Sequence, residues 1–206
     1  MTKKQARELL SEGNGKLHKS ILIWNLPAGD GKSAATTGGT CFMECPGCYA
    51  IKAQRQYTRN VLPSRLKKLE ASKGTTFMFD IIESIKTLKG LYVRIHESGD
   101  FYSQEYINKW HYIASSLPGV HFTAYTKQLG RFDFSLLRSL KNVTIINSLH
   151  NNKINFGSLD KKPKEQPLCP CGTSPDVKGC GWDCNLCYTS ENKELLESCG
   201  LYFKQH

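Results

Sequence analysis

The sequence has no apolar run that approaches the about 20 residues a helix needs to cross a bilayer. The basic opening Met1-Thr2-Lys3-Lys4 is followed by polar residues 5–12 instead of an apolar stretch, so no secretion signal is expected and a cytosolic chain is. No internal repeat and no low-complexity tract is present, which excludes solenoids and repeat arrays. Acidic residues are scarce, 18 against 28 Lys and Arg, yet the cations are scattered and no basic run dominates. The resulting charge of +10 admits an acidic partner such as nucleic acid or a host protein without selecting one. A phosphate-binding loop is excluded as well: Gly31-Lys32-Ser33 needs a glycine five positions before Gly31, and Leu26 stands there. Cysteine is missing from all 120 residues between Cys48 and Cys169.

What is present is organised around the two ends of that gap. Cys41, Cys45 and Cys48 stand at C-x3-C-x2-C spacing with Tyr49 directly after the last. Three thiolates on one tight loop can converge on one metal centre, and thiolates are the usual ligands of iron–sulfur clusters. A [4Fe–4S] cluster held by three local cysteines keeps one iron open to a small molecule or a distant residue. A zinc knuckle is the alternative. Zinc loops more often use C-x2-C pairs and need a fourth ligand, which favours the cluster. Cys180, Cys184 and Cys187 repeat the same spacing before Tyr188, and Cys169 or Cys171 can supply a fourth ligand. A four-cysteine set suits a closed [4Fe–4S] cluster or zinc, and the mirrored spacing favours a cluster. Cys199 stands alone in a helical context and reads as packing. Nine cysteines without a secretion signal point to metal or redox chemistry rather than disulfides.

With 206 residues, 39% hydrophobic and 22% charged, the chain is long enough for one core. Residues 3–12 read as a short amphipathic helix and residues 20–26 as a strand ending at Pro27. A Gly/Thr/Ser-rich loop then leads to the first cysteines. Helices are expected from about residue 51, from Pro63 to Lys73, and over 76–88, where Phe77, Ile81, Ile82, Ile85 and Leu88 recur at helical spacing. Strands at 91–96, 120–126 and 143–147 alternate with helices at 103–117, capped by Ser103, and at 134–140. That rhythm predicts an α/β fold with a parallel sheet over residues 1–160. Residues 161–206 form a Cys-rich tail with too few large apolar residues for a core, so metal is expected to hold it.

The other dense stretch is Arg94-Ile95-His96-Glu97-Ser98-Gly99-Asp100-Phe101. Alternation puts Val93 and Ile95 against the helices and Tyr92, Arg94 and His96 on the opposite side. Polar groups at a strand's carboxyl end, just before a Gly-Asp turn, are odd for structure alone, and parallel-strand carboxyl ends are where α/β proteins bind ligands. Tyr125, Thr126 and Lys127 on the next strand and Asn147 on the third show the same habit, so these ends are expected to line one cavity above the cysteine loop. The plainer reading is a turn shaped by Ser98 and Asp100, with Arg94 paired to Glu97.

Several motifs carry a resemblance. His96-x-Ser98-Gly99-Asp100-Phe101, continued by Tyr106 and Trp110, and Phe122-x-Ala124-Tyr125-Thr126-Lys127 resemble a little-characterised family of phage-encoded proteins named after a mycobacteriophage gene product. Cys48-Tyr49-Ala50, Leu26-Pro27-Ala28-Gly29 and the segment from Cys169 through Cys187 look like further parts of that family. It implies host-cytoplasmic location and no particular activity. The cysteine loop itself resembles that of the radical S-adenosylmethionine (SAM) superfamily, with Glu97-Ser98-Gly99-Asp100 at roughly the place of its SAM-amine motif; the Gly-Gly-Glu-Pro pattern is absent. This second resemblance implies a partial (βα) barrel and SAM on the open iron through its amino and carboxylate groups. Ser98, Gly99, Asp100, Thr126 and Asn147 would then face the cofactor, and Arg94, His96, Asp100 and Tyr125 would act on the substrate.

Three functions compete. One is a radical SAM-like enzyme. The second is a non-catalytic iron–sulfur protein that binds nucleic acid or a host protein. The third is a colourless zinc-stabilised module.

Overall fold

A computed structural model describes residues 1–15, 17–42, 45, 47–150, 153–154, 156–157, 187, 190–199 and 203–204. The chain runs α1 (Lys3–Leu9), β1 (Ser11–Glu12), β2 (Ile21–Trp24), α2 (Tyr49–Gln56), α3 (Val61–Lys73), α4 (Phe77–Leu88), β3 (Tyr92–Ile95), α5 (Gln104–Ser115), β4 (His121–Thr126), α6 (Ser135–Ser139) and β5 (Val143–Asn147). Beyond these, α7 (Lys193–Cys199) packs on β5. No helix among the described residues is long and apolar enough to cross a membrane.

The sheet has the order β1-β2-β3-β4-β5, parallel from β2 to β5, with β1 antiparallel at one edge. The expected parallel α/β core is therefore present. Because the order never reverses, successive crossovers pack on the same face. Leu22, Trp24, Val93, Ile95, Phe122, Ala124, Val143 and Ile145 form that face and bury against Leu10, Ile81, Ile85, Trp110, Ile113 and Leu137. Its centre is aromatic: the Trp24 ring lies 5.2 Å from Phe77 and 6.4 Å from Trp110, contacts that add about 0.5–1.5 kcal/mol each to simple burial. The other face carries Ile21, Ile23 and Ile146, against which Cys187 and Leu196 pack.

Local chemistry explains most elements. Ser103 caps α5 by accepting the Tyr106 N–H, and Tyr106, Ile107, Trp110, Ile113 and Ala114 fall on its buried side. In β3, Val93 and Ile95 are buried while Tyr92 and Arg94 are half-buried on the opposite face, as alternation requires. Two expectations are corrected. The first helix stops at Leu9, because Ser11 and Glu12 pair with Ile23 and Leu22 and draw the chain onto the sheet edge. His96 does not follow Arg94 onto the open face. Its backbone is left-handed, φ +63°, which swings the imidazole under the helices, where it is 3% exposed. There Tyr106 OH and His96 Nε2 lie 2.9 Å apart, and the Trp24 indole N–H donates to the same hydroxyl at 2.8 Å.

This burial has a pH consequence. Desolvation, with Arg94 adding repulsion, pushes the His96 pKa from 6.5 down to about 3. Burial and Lys193 push that of His121 from 6.5 to about 4. Between these values and 6.5 the unfolded chain binds more protons than the folded one, so stability is full above pH 6.5 and falls as the pH drops. The His96 share of the loss is about 2 kcal/mol near pH 5. The raised carboxyl of Asp100 acts in the opposite sense. Thermal melts between pH 7.5 and pH 5 are expected to show a falling Tm, and His96→Gln is expected to flatten the slope.

Candidate functional site

The cysteine loop is fastened across the carboxyl ends of β2 and β3. Thr40, immediately before Cys41, is the main bolt: its hydroxyl donates to the Pro27 carbonyl at 3.0 Å and accepts the Asp100 N–H at 2.9 Å. The Cys41 N–H donates to the Gly29 carbonyl. On the far side of the loop, the Cys48 N–H donates to the Cys45 carbonyl, and Tyr49 opens α2 and donates its hydroxyl to the Glu97 carbonyl at 2.5 Å. Gln54 then ties α2 back by accepting the Ala28 N–H and donating to the Ala35 carbonyl.

The Ser98-Gly99-Asp100 turn is held just as fully. The Asn25 side-chain carbonyl accepts the N–H groups of both Glu97 and Ser98, and the Ser98 hydroxyl donates to the Leu26 carbonyl. Gly99 adopts φ +79°, and a Cβ there would stand 2.7 Å from both Leu26 Cβ and Thr40 Oγ1. Asp100 is 4% exposed. One carboxylate oxygen accepts from the Thr126 hydroxyl at 2.6 Å and the Phe101 N–H at 2.8 Å; the other accepts the Lys127 N–H at 3.0 Å. Asp100 thus joins the ends of β3 and β4 and, through its N–H, the cysteine loop. Asn147 stands opposite Thr126 in the ladder.

The remaining candidates lie on the open face of the sheet. The Arg94 guanidinium sits 3.7 Å from the centroid of the Tyr125 ring and donates from Nε to the His96 carbonyl. The Tyr125 hydroxyl lies 2.8 Å from Cys187 Sγ, and the Thr123 hydroxyl donates to the Cys187 carbonyl. One member of the second cysteine set is thereby seated on the sheet. Cys169, Cys171, Cys180 and Cys184 lie outside the described residues. The structure accordingly divides the expected single cavity. Ser98, Asp100 and Thr126 form a closed hydrogen-bonded clamp, His96 is withdrawn into the core, and Arg94 and Tyr125 stack on the opposite face. A cavity of about 350 Å³ is built by α1 and α3, including Gln5, Lys67 and Lys68, and contains none of these residues.

Reading the sequence alone missed Thr40 and Asn25. Their only signal is position, one directly before the first cysteine and the other directly after a strand.

The donor set suits a thiophilic metal by its chemistry. Burial pushes the Cys41 thiol up to about 12, with the Asp100 carboxylate reinforcing the shift. Burial also raises Cys45, against which the positive charge of the nearby Lys127 ammonium acts in the opposite direction. Thiols so placed ionise when a cation is supplied to them, and a metal centre is such a cation. Among the described residues, however, no three His, Cys, Asp or Glu side chains stand together as a metal-holding group. The loop presents three soft donors and not an assembled coordination sphere.

The fold and loop define an α/β protein with a cysteine-bearing segment across the carboxyl ends of its parallel strands. The family model described as gene product 88 matches residues 1–166, and the chain belongs to that phage gene-product family. The match ends before Cys169, so the cysteine-rich end lies outside the matched span. No curated protein and no solved structure matches the chain.

Proposed function

We propose that this chain is an iron–sulfur protein of phage or prophage origin and a radical SAM-like enzyme, with Cys41, Cys45 and Cys48 as the three ligands of a [4Fe–4S] cluster. The observation that carries this reading is the fastening of the three-cysteine loop across the strand ends by Thr40–Asp100 and Tyr49–Glu97. A parallel sheet exposes its ligand crevice at that end. The unreversed strand order, with the crossover helices α4, α5 and α6 on one face, is the order a segment of a (βα) barrel has.

When bound, such a cluster supplies one-electron reduction to a ligand on its open iron, SAM by the resemblance. This chain's own residues would do the rest. The Lys127 ammonium, near Cys45, would offset thiolate charge. Asp100 and Thr126 fix the loop against the sheet, and Arg94 and Tyr125 present a cation and a phenol on the other face, beside Cys187, to orient a substrate. A second metal site, a cluster or zinc, is assigned to Cys169, Cys180, Cys184 and Cys187.

One observation favours a second reading, a non-catalytic iron–sulfur protein that contacts nucleic acid or a host protein. The Ser98 hydroxyl and both Asp100 carboxylate oxygens are engaged within the protein, which leaves the segment assigned to the SAM amine few polar groups to offer.

EPR of the anaerobically purified, reduced protein separates the two. A [4Fe–4S] signal that shifts on addition of SAM is expected for the enzyme. A cluster signal indifferent to SAM would overturn it in favour of the second reading.

A further inference from the structure

From Cys45 to Leu69 the chain carries Lys52, Arg55, Arg59, Arg65, Lys67 and Lys68 and not one Asp or Glu. The fold sorts these cations into two groups. Arg65 turns inward and donates to the Ala50 carbonyl and Gln54 Oε1; Lys68 is buried with its ammonium 5.7 Å from the Trp24 ring; Lys67 pairs with Glu8. Lys52, Arg55 and Arg59 are exposed and have no carboxylate partner among the described residues.

Aromatic rings lie among them. α2 buries Ala50, Ile51 and Gln54, which turns Tyr49, Lys52 and Arg55 outward. Tyr49 is 63% exposed and Tyr57, just past the helix end, 54%. Only the tip of Tyr49 is engaged, at the Glu97 carbonyl. On the other flank of the cysteine loop, Phe42 is 38% exposed and lies under the Arg131 guanidinium at 5.3 Å. Exposed tyrosines give up apolar area to water without return, and unpaired cations repel one another. A partner that supplies both negative charges and flat rings relieves both.

We propose that the outward side of α2 and its continuation, Tyr49, Lys52, Arg55, Tyr57 and Arg59, binds single-stranded nucleic acid: the cations take the phosphates and the tyrosines stack on unpaired bases. An acidic protein would satisfy the charges but would need a separate apolar or aromatic group for each ring, whereas every nucleotide brings a phosphate and a ring together, and a duplex keeps its base faces inside the helix. The inference names a surface for the nucleic-acid partner of the second reading, and it holds whether or not the loop carries metal. The loop's metal is read by iron content and this surface by binding, so either can fail alone.

The test is fluorescence anisotropy of the full chain with labelled oligo(dT), oligo(U) and a mixed-sequence DNA duplex, at low and moderate salt. One or both single strands are expected to bind at low salt, the duplex at least about 5-fold more weakly, with affinity falling steeply as salt rises. The triple variant Lys52→Ala/Arg55→Ala/Arg59→Ala is expected to lose at least about 10-fold and to lower the log–log salt slope by about 2, since each single-strand phosphate contact contributes about 0.7. Tyr57→Ala is expected to lose about 5-fold or more with the salt slope unchanged, the signature of stacking. All four side chains are exposed, so an unchanged Tm verifies that the variants are folded. Absence of single-strand binding at low salt overturns the proposal. So does equal affinity for the duplex, or a triple variant that binds as the parent does.

Discussion

Gly99→Ala is expected to destabilise the protein by about 3–4 kcal/mol. Two costs add. A residue with a Cβ held at φ +79° gives up about 1–2 kcal/mol of backbone preference. The new methyl group also meets Leu26 Cβ and Thr40 Oγ1 at 2.7 Å and the Leu26 carbonyl carbon at 3.0 Å, so β2 and the cysteine loop must both move. Overpacking of that kind costs about 1–3 kcal/mol. For a chain of 206 residues the sum corresponds to a Tm lowered by about 10 °C. Relief of the clash by shifting Thr40 would break its bonds to Asp100 and Pro27, so the variant is also expected to label faster at Cys41 with a thiol reagent. An unchanged Tm together with unchanged labelling would mean that the turn and the loop do not touch as described.

Asp100→Ala is expected to cost about 3–5 kcal/mol and to loosen the same loop. Its carboxylate accepts three hydrogen bonds at a position 4% exposed to solvent. Removing it strands the Thr126 hydroxyl and the N–H groups of Phe101 and Lys127 without an acceptor, and each buried unsatisfied group costs about 1–3 kcal/mol. Asp100→Asn keeps the accepting oxygen for Thr126 and Phe101 but turns an amide N–H₂ toward the Lys127 N–H, so roughly half the loss is expected. Urea unfolding of the three proteins measures this order. A residue needed only for chemistry would leave all three midpoints together, and that result would remove Asp100 from the clamp.

Much of the sheet was legible from periodicity. Phe77, Ile81 and Ile85 on α4, and Tyr106, Trp110 and Ile113 on α5, recur at helical spacing and are all buried. Val93 and Ile95 alternate with Tyr92 and Arg94 as a one-sided strand does. The edge pairing of Ser11 and Glu12 was not legible, because a two-residue strand has no period and exists only where β2 offers it partners. The burial of His96 was hidden for a related reason: a left-handed residue breaks the alternation that assigned its face, and nothing in the identity of histidine announces a positive φ.

In the candidate site the cysteine spacing and the Ser98-Gly99-Asp100 turn stood out, and their juxtaposition through Thr40 did not, since it joins segments 60 residues apart through one hydroxyl. The seating of Cys187 on Thr123 and Tyr125, across 62 residues of sequence from Tyr125, was equally beyond any local pattern.

The central claim is that Cys41, Cys45 and Cys48 hold an iron–sulfur cluster, and it is tested most directly by counting metal. Iron, acid-labile sulfide and zinc are measured per chain after anaerobic purification, for the parent and for Cys41→Ser/Cys45→Ser/Cys48→Ser. About four irons and four sulfides lost in the variant, with its fold retained by circular dichroism, is the expected result. Zinc in place of iron in the parent, or an iron and sulfide content that the three substitutions leave unchanged, would contradict it.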